Sequence, residues 1–297
     1  MADAALAVVG VAGVGTMGGP MCRRLLTAGY RVVAFNRTAS RLAPYLEAGA
    51  EAAPCVAALA ATADVILTCL DTVAASESVY LDADGLVAHA RAGTLLIDHG
   101  TIRPALALRV AERAAVRAVG YVDAPVSGGP EGAEQGTLAV MVGGSARDFA
   151  RALPFVRAYG RTVVHMGSAG AGTHAKLVNQ LLTFVHGAVA AEAIALAERL
   201  GLNLGALGEV IGGGFGQSRM FERTLARVRA GQYEPGAALR LYDKDLGIVA
   251  EVGAGANMQL PLADAARRVL RTAMELGLGE RDLAALHLRY PAREADE

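Results

Sequence analysis

The sequence predicts an α/β architecture: a doubly wound sheet over residues 1–167, followed by an all-helical C-terminal domain over residues 168–297. Three features predict it. Short β-rich runs alternate with helix-like segments through the first half, which implies parallel strands with right-handed crossovers. A glycine-rich turn, Gly13-Val14-Gly15-Thr16-Met17-Gly18, follows the first such run and opens a helix. After a turn-rich stretch at Gly167, Gly170 and Gly172, no convincing strand pattern returns and helical periodicity takes over.

In chain order, residues 6–11 read as the first strand, 20–28 as a helix closed by Gly29, and 31–35 as the second strand. A helix follows from about Ser40. Buried-strand candidates continue at 65–70, 94–98, 120–123, 139–142 and 162–165. A long helical pattern at 173–200 joins the two domains, and the rest reads as helices interrupted at Gly212 to Gly214, Pro235 and Pro261.

A chain of 297 residues that is 53% hydrophobic and 19% charged can bury a large core, and a net charge of −1 provides no general pull toward nucleic acid or anionic lipid. Cys22, Cys55 and Cys69 form no CxxC pair and stand near no histidine at ligand spacing, so reduced thiols and no metal site are expected. The N-terminus shows no leader pattern. The most apolar helical stretch, 181–196, is short for a bilayer and contains Thr183, His186 and Glu192. A soluble cytoplasmic protein with no membrane or nucleic-acid partner is expected.

The basic residues are skewed: of 28, only Lys176 and Lys244 are lysine. A surface charge is served equally well by arginine. A group that must release a proton is not, because guanidinium stays charged. The two lysines are therefore the places to look for acid–base chemistry.

Gly13-x-Gly15-x-x-Gly18, placed between a strand and a helix, has the context that the dinucleotide-binding fingerprint of a Rossmann-type domain requires, although FAD and S-adenosylmethionine sites also use such loops. Its glycines allow a tight turn and close approach of a pyrophosphate to a helix N-terminus. At the end of the second strand, where an NAD site carries Asp or Glu for the ribose 2′-hydroxyl, this chain has Asn36-Arg37-Thr38. No carboxylate repels a 2′-phosphate there, and Arg37 is suited to pair with one, so NADP is expected ahead of NAD.

Four separated motifs then occur in order: Gly13 to Gly18; Asp123-Ala-Pro-Val-Ser-Gly-Gly129 continuing to Gly136-Thr-Leu138; Gly170-Ala-Gly-Thr-His-Ala-Lys176-Leu-Val-Asn179; and Lys244-Asp245-Leu246. With this set the chain resembles, over nearly its whole length, the β-hydroxyacid dehydrogenases, the group that includes 3-hydroxyisobutyrate dehydrogenase and tartronate semialdehyde reductase. The resemblance implies Lys176 as catalytic residue and Ser127, Gly128, Gly129, Asn179 and Lys244 as substrate-binding. It also implies cofactor contacts from Gly13, Gly15, Thr16, Met17, Gly18, Asn36, Arg37, Thr38, Leu70, Asp71, Thr101 and Lys244. The chain departs from the family pattern at Gln180 (commonly Asn), Asp71 (commonly Pro), Gly100 (commonly Ser) and Pro130-Glu131.

The residues themselves agree with the implied chemistry. Lys176, Asn179 and Gln180, at i, i+3 and i+4, share one helical face. Ser127 to Gly129 offers backbone N–H groups to a carboxylate. The expected reaction moves a hydride between NADP(H) and a small carboxylate-bearing β-hydroxy acid or its semialdehyde, with Lys176 exchanging the hydroxyl proton. Arg219, in a glycine-flanked turn, is a candidate for a second substrate carboxylate. His165 and His174 are competing acids, with packing or surface placement the plainer reading. Two other functions stand beside this one: an imine reductase, disfavoured by Lys176, and a non-catalytic cofactor-binding interaction module. The small-residue-rich helical domain suggests a homodimer or homotetramer.

Overall fold

The computed structural model describes residues 7–234 and 238–290, so Leu6 and Pro235, used above to place a strand and a helix break, lie outside the described residues. The chain divides into two compact units, Met1–Lys176 and Leu177–Glu297.

The first unit alternates β1 (Val8–Ala12), α1 (Gly18–Thr27) and β2 (Arg31–Phe35) before a 3-10 turn (Ala39–Leu42) leading into α2 (Ala43–Leu46). Then come β3 (Glu51–Ala52), α3 (Val56–Thr62), β4 (Val65–Thr68), α4 (Val73–Leu81) and α5 (Leu86–His89). β5 (Leu95–Asp98), α6 (Pro104–Val116), β6 (Gly120–Asp123) and β7 (Val126–Ser127) follow. The unit closes with α7 (Gly129–Gln135), β8 (Leu138–Gly144), α8 (Ala146–Val156) and β9 (Gly160–Gly167).

The strands form one sheet in the order β3-β2-β1-β4-β5-β6-β8-β7, with β9 on β8. From β3 to β6 every pairing is parallel, in the doubly wound order. The parallel sheet that the alternating pattern implies is found from β3 to β6; at the far edge β8 runs antiparallel to both β6 and β7. The cause is local: the short α7 and its glycine turns reverse the chain instead of carrying it back across the sheet.

Side-chain alternation explains why the central strands read as unbroken apolar runs. Leu95 and Ile97 join the core on one face with Val65, Leu67 and Val122, while Leu96 joins the other with Ile66 and Tyr121. Helices cover both faces, and the open ends of β1, β4, β5 and β6 point the same way. In such sheets ligands bind beyond the C-terminal strand ends.

α9 (Ala171–Arg199) begins in the first unit and continues into the second. At 29 residues it is long and apolar enough to cross a membrane by length and composition, so the argument from a short apolar stretch does not hold. Half of its most apolar window is buried inside the protein.

The second unit continues with α10 (Leu204–Gly212), α11 (Arg219–Arg229), α12 (Leu239–Gly255), α13 (Pro261–Glu275) and a final 3-10 turn (Leu283–Arg289). Among the described residues it contains no strand. Ala190 and Ile194 of α9 pack with Phe221, Leu225 and Val228 of α11. Pro261 starts α13 at its first turn, where its missing N–H costs nothing, so it marks a beginning as well as a break. Arg223 forks onto the fully buried Asp282 at 2.8 and 2.7 Å and so ties α11 to the final turn.

Candidate active site

The glycine loop joins β1 to α1, and its three glycines have different reasons to be glycine. Gly13 has φ +95°, and a Cβ there would stand 2.4 Å from the Cys69 carbonyl. A Cβ on Gly18 would stand 2.0 Å from the Gly13 carbonyl. Packing of the loop on itself and on the end of β4 therefore accounts for both. Gly15 differs: the nearest atom to a Cβ there is Arg41 Nη1, at 3.9 Å. Nothing inside the protein requires Gly15 to be bare; a ligand approaching the backbone would. Thr16 and Met17 complete the loop, Thr16 exposed. The loop fits a dinucleotide pyrophosphate.

Asn36, just past β2, turns its side chain inward: Oδ1 accepts Val14 N–H at 3.1 Å and Nδ2 donates to the Thr38 carbonyl at 3.0 Å. It shapes the glycine loop. Arg37 and Thr38 are exposed beside it. Arg41, which the sequence reading does not single out, brings its guanidinium beside Gly15. A cleft next to the loop is lined by Gly15, Thr16, Arg23, Arg41, Tyr45 and Glu134. Leu70 and the exposed Asp71 follow β4, ahead of Thr72, whose hydroxyl caps α4 by accepting Ala75 N–H.

The C-terminal ends of β4, β5 and β6 carry a buried polar cluster. Asp98 Oδ1 accepts from Gly100 N–H at 2.8 Å and Thr68 Oγ1 at 3.2 Å, while Oδ2 accepts from Tyr121 at 3.3 Å. Desolvation pushes the Asp98 carboxyl up to about 7, against those hydrogen bonds. His99 is buried between the Ala124 carbonyl and the Tyr159 hydroxyl, and desolvation lowers its pKa to about 4. Thr101, half-buried, follows directly. Gly100, where the family pattern commonly has serine, lies against Asp98, and a Cβ there would be 3.4 Å from the buried Ser76 hydroxyl, which has no hydrogen-bond partner among the described residues.

Asp123 ends β6, and Ser127, Gly128 and Gly129 follow at the β7–α7 turn. Gly128 (φ +132°) and Gly129 (φ +68°) adopt backbone that only glycine takes readily. Asp123 Oδ1 accepts Gly170 N–H at 2.7 Å; Oδ2 accepts Thr173 N–H at 2.6 Å and Thr173 Oγ1 at 2.9 Å. Desolvation raises the Asp123 pKa, and these bonds to the start of α9 pull against that rise. Lys176 lies one turn further along α9 and is only 8% exposed.

In the second unit, Asn179 Nδ2 donates to Gln180 Oε1 at 3.1 Å, and Gln180 Nε2 donates to Asp245 Oδ2 at 2.5 Å. Lys244 Nζ lies 3.0 Å from Asp245 Oδ1, an ion pair without hydrogen-bond alignment at that oxygen. Asn179 and Lys244, the two residues of this unit expected to face substrate, thus belong to one chain of polar contacts. Asp245 entered the sequence reading only as a motif letter; a carboxylate next to one of two lysines was the available signal. Ser218, beside Arg219, spends its hydroxyl capping α11. His165 bonds the Gly144 carbonyl, and His174 is exposed.

Comparison with known proteins adds the following. Residues 8–167 match the family model described as the NAD binding domain of 6-phosphogluconate dehydrogenase. Residues 170–290 match the one described as NAD-binding of NADP-dependent 3-hydroxyisobutyrate dehydrogenase. The chain is 36% identical over 279 residues to 2-(hydroxymethyl)glutarate dehydrogenase of Eubacterium barkeri, covering 94% of this chain and 93% of that one. It is 38% identical over 264 residues to 3-hydroxyisobutyrate dehydrogenase of Pseudomonas aeruginosa, covering 86% and 89%. Among solved structures, 3-hydroxyisobutyrate dehydrogenase from Salmonella typhimurium matches with a TM-score of 0.88 at 33% identity, covering 95% of this chain and 99% of that one.

Proposed function

The chain belongs to the β-hydroxyacid dehydrogenase family, and on that premise we propose that it interconverts a small β-hydroxy acid and its semialdehyde, using NADP(H) in preference to NAD(H), with Lys176 as general acid and base. The nicotinamide dinucleotide supplies or accepts the hydride. Everything else falls to this chain's residues.

The observation that carries the reading is Lys176 itself. It is buried, one turn from the anchored start of α9, in a chain whose basic residues are otherwise arginine at all but one position. In oxidation its neutral amine takes the substrate hydroxyl proton; in reduction its ammonium returns a proton to the forming alkoxide. Such help is typically worth about 10²- to 10⁴-fold. Ser127, Gly128 and Gly129 would hold the substrate carboxylate, and Asn179 and Lys244 would take the substrate-binding roles that the family resemblance implies. Thr101 would contact the cofactor's nicotinamide ribose, with Leu70 and Asp71 in the loop beside the cofactor.

Cofactor preference follows from the end of β2. No carboxylate stands there, the Asn36 amide is committed to the glycine loop, and Arg37 and Arg41 are both available to an anionic 2′-substituent. A homodimer or homotetramer is supported by apolar residues exposed along α9: Val178, Leu182, Val189 and Leu196 are each more than half exposed.

One experiment tests the reading. Hydroxy acids (3-hydroxyisobutyrate, 3-hydroxypropionate, 2-(hydroxymethyl)glutarate) and the tartronate and succinic semialdehydes are assayed against both cofactors, with Lys176→Arg alongside. Turnover of at least one substrate with NADP(H) ahead of NAD(H), and its loss in Lys176→Arg while cofactor still binds, is expected. Near-normal turnover by Lys176→Arg overturns the role of Lys176; a marked NAD preference overturns the cofactor assignment.

A further inference from the structure

Asp123 has no part in the reaction just described, yet it is the residue on which two parts of the site converge. Its backbone ends β6 and runs within four residues into Ser127, Gly128 and Gly129. Its side chain crosses to the start of α9, accepting three hydrogen bonds of 2.6 to 2.9 Å from residues 47 and 50 positions away in sequence. Both oxygens are engaged, and Asp123 is 1% exposed.

Helices usually take the cap for their first N–H groups from the residue that precedes them. Here a side chain from the sheet does so, and the carboxylate also complements the positive end of a 29-residue helix. The surrounding walls leave no slack. A Cβ on Gly172 would stand 2.3 Å from the Met141 carbonyl and 2.5 Å from that of Asp123; one on Gly143 would stand 2.5 Å from Asp123 Oδ1. Helix start and strand ends meet backbone to backbone, with the Asp123 carboxylate as the polar link.

We propose that Asp123 is a positioning residue for the reaction: it fixes the first turn of α9, and hence Lys176, against the Ser127–Gly129 segment. The proposal rests on the role assigned above to Lys176. Lys176 is three residues beyond Thr173, about 4.5 Å along the helix, so a tilt of the first turn carries the amine with it. A displacement near 1 Å at a reacting group costs as much as about 100-fold in rate. In Asp123→Asn, the amide presents N–H to donors where the carboxylate presented oxygen, which pushes the first turn away. Thr173→Val is milder, deleting one of the three hydrogen bonds and leaving the backbone N–H in place.

The test uses the full chain and exploits its two lysines. With lysine labelled at Cε, the NMR spectrum contains two lysine signals, which Lys176→Arg and Lys244→Arg assign. In Asp123→Asn, and to a lesser degree in Thr173→Val, the Lys176 signal and its titration midpoint are expected to move while those of Lys244 stay. kcat is expected to fall by about 10- to 100-fold in Asp123→Asn and by less in Thr173→Val, with the KM for the dinucleotide within about 2-fold of wild type.

Cooperatively melting variants with an unmoved Lys176 signal and unchanged kcat overturn the proposal. Equal movement of both lysine signals also overturns it, since that reports general loss of structure. If Asp123→Asn does not fold, Thr173→Val decides alone. Failure of the role assigned to Lys176 shows separately, as near-normal turnover by Lys176→Arg, and leaves the NMR comparison intact.

Discussion

Gln180 Nε2 donates a 2.5 Å hydrogen bond to Asp245 Oδ2, joining α9 to α12 at the carboxylate whose other oxygen faces Lys244. Gln180 is 7% and Asp245 5% exposed, so neither has water to fall back on. The position where the family pattern commonly has asparagine is thus used here for a longer reach. Gln180→Leu, of similar size, strands one oxygen of a buried carboxylate. The expected cost is about 1–3 kcal/mol, read as a lower unfolding midpoint in urea. Gln180→Asn, one methylene short, is expected to fall between. A Gln180→Leu protein as stable as wild type rules the pairing out as a stabilising contact.

Asp98 and His99 are neighbours with opposite pH linkage. The Asp98 carboxyl is raised from 3.8 to about 7, so folding favours its protonated form. That contribution is complete below about pH 4 and is lost as pH rises through 7. The His99 imidazole is lowered from 6.5 to about 4, so folding favours its neutral form. That contribution is complete above about pH 6.5 and is lost as pH falls through 4. At 1.36 kcal/mol per pH unit the two are comparable, roughly 3–4 kcal/mol each at most, and largely cancel. Removing either member exposes the other. Relative to wild type, Asp98→Asn is expected to be most destabilised near pH 4–5 and to recover toward pH 8. His99→Gln is expected to show the reverse. Thermal melts across pH 4–8 decide it, and slopes of the same sign in both variants would count against the assignment.

Sheet and site differ in how far they were legible in the sequence. β2 and β6 were bounded to the residue, because a buried parallel strand is a continuous apolar run and its ends are marked by glycine or polar residues. The reversal of β8 was not legible: it depends on Gly128 and Gly129 at positive φ and on which neighbour the strand then pairs with. Lys176 and Lys244 stood out through composition, a signal independent of fold. Asp245 and Arg41 did not, since their significance lies in pairings made by tertiary structure, across 65 residues for Gln180 with Asp245. The hydrogen bond from Val14 N–H to Asn36 Oδ1, which supports the loop, is a tertiary pairing that the sequence position of Asn36 does not reveal.

Substituting alanine for glycine separates fold from binding in the nucleotide loop. Gly15 has φ in the ordinary range and open space where a Cβ would go. Gly15→Ala is therefore expected to leave stability unchanged or to raise it by about 0.4–1 kcal/mol through the unfolded state, while weakening NADPH binding at least about 10-fold. Gly18→Ala, with its Cβ 2.0 Å from the Gly13 carbonyl, must displace backbone and is expected to lower the melting temperature of the ligand-free protein. Melting and fluorescence titration of the two variants check this. A Gly15→Ala protein that binds NADPH normally removes the pyrophosphate from that face of the loop.

Arg37 and Arg41 divide the cofactor question between a residue expected from sequence and one that only the fold brings into place. Both are exposed, so neither holds the protein together, and replacing them tests binding alone. A charge-assisted hydrogen bond is worth about 1.5–3 kcal/mol, or roughly 10- to 100-fold in affinity. If both face the 2′-phosphate, Arg37→Ser and Arg41→Ser each raise the Kd for NADPH within that range and leave the Kd for NADH within about 2-fold. An Arg41 that instead serves the pyrophosphate, beside Gly15, weakens both cofactors alike. The ratio of the two affinities, measured in each variant at one ionic strength, distinguishes these cases, because salt screens both guanidinium contacts and changes absolute values more than their ratio.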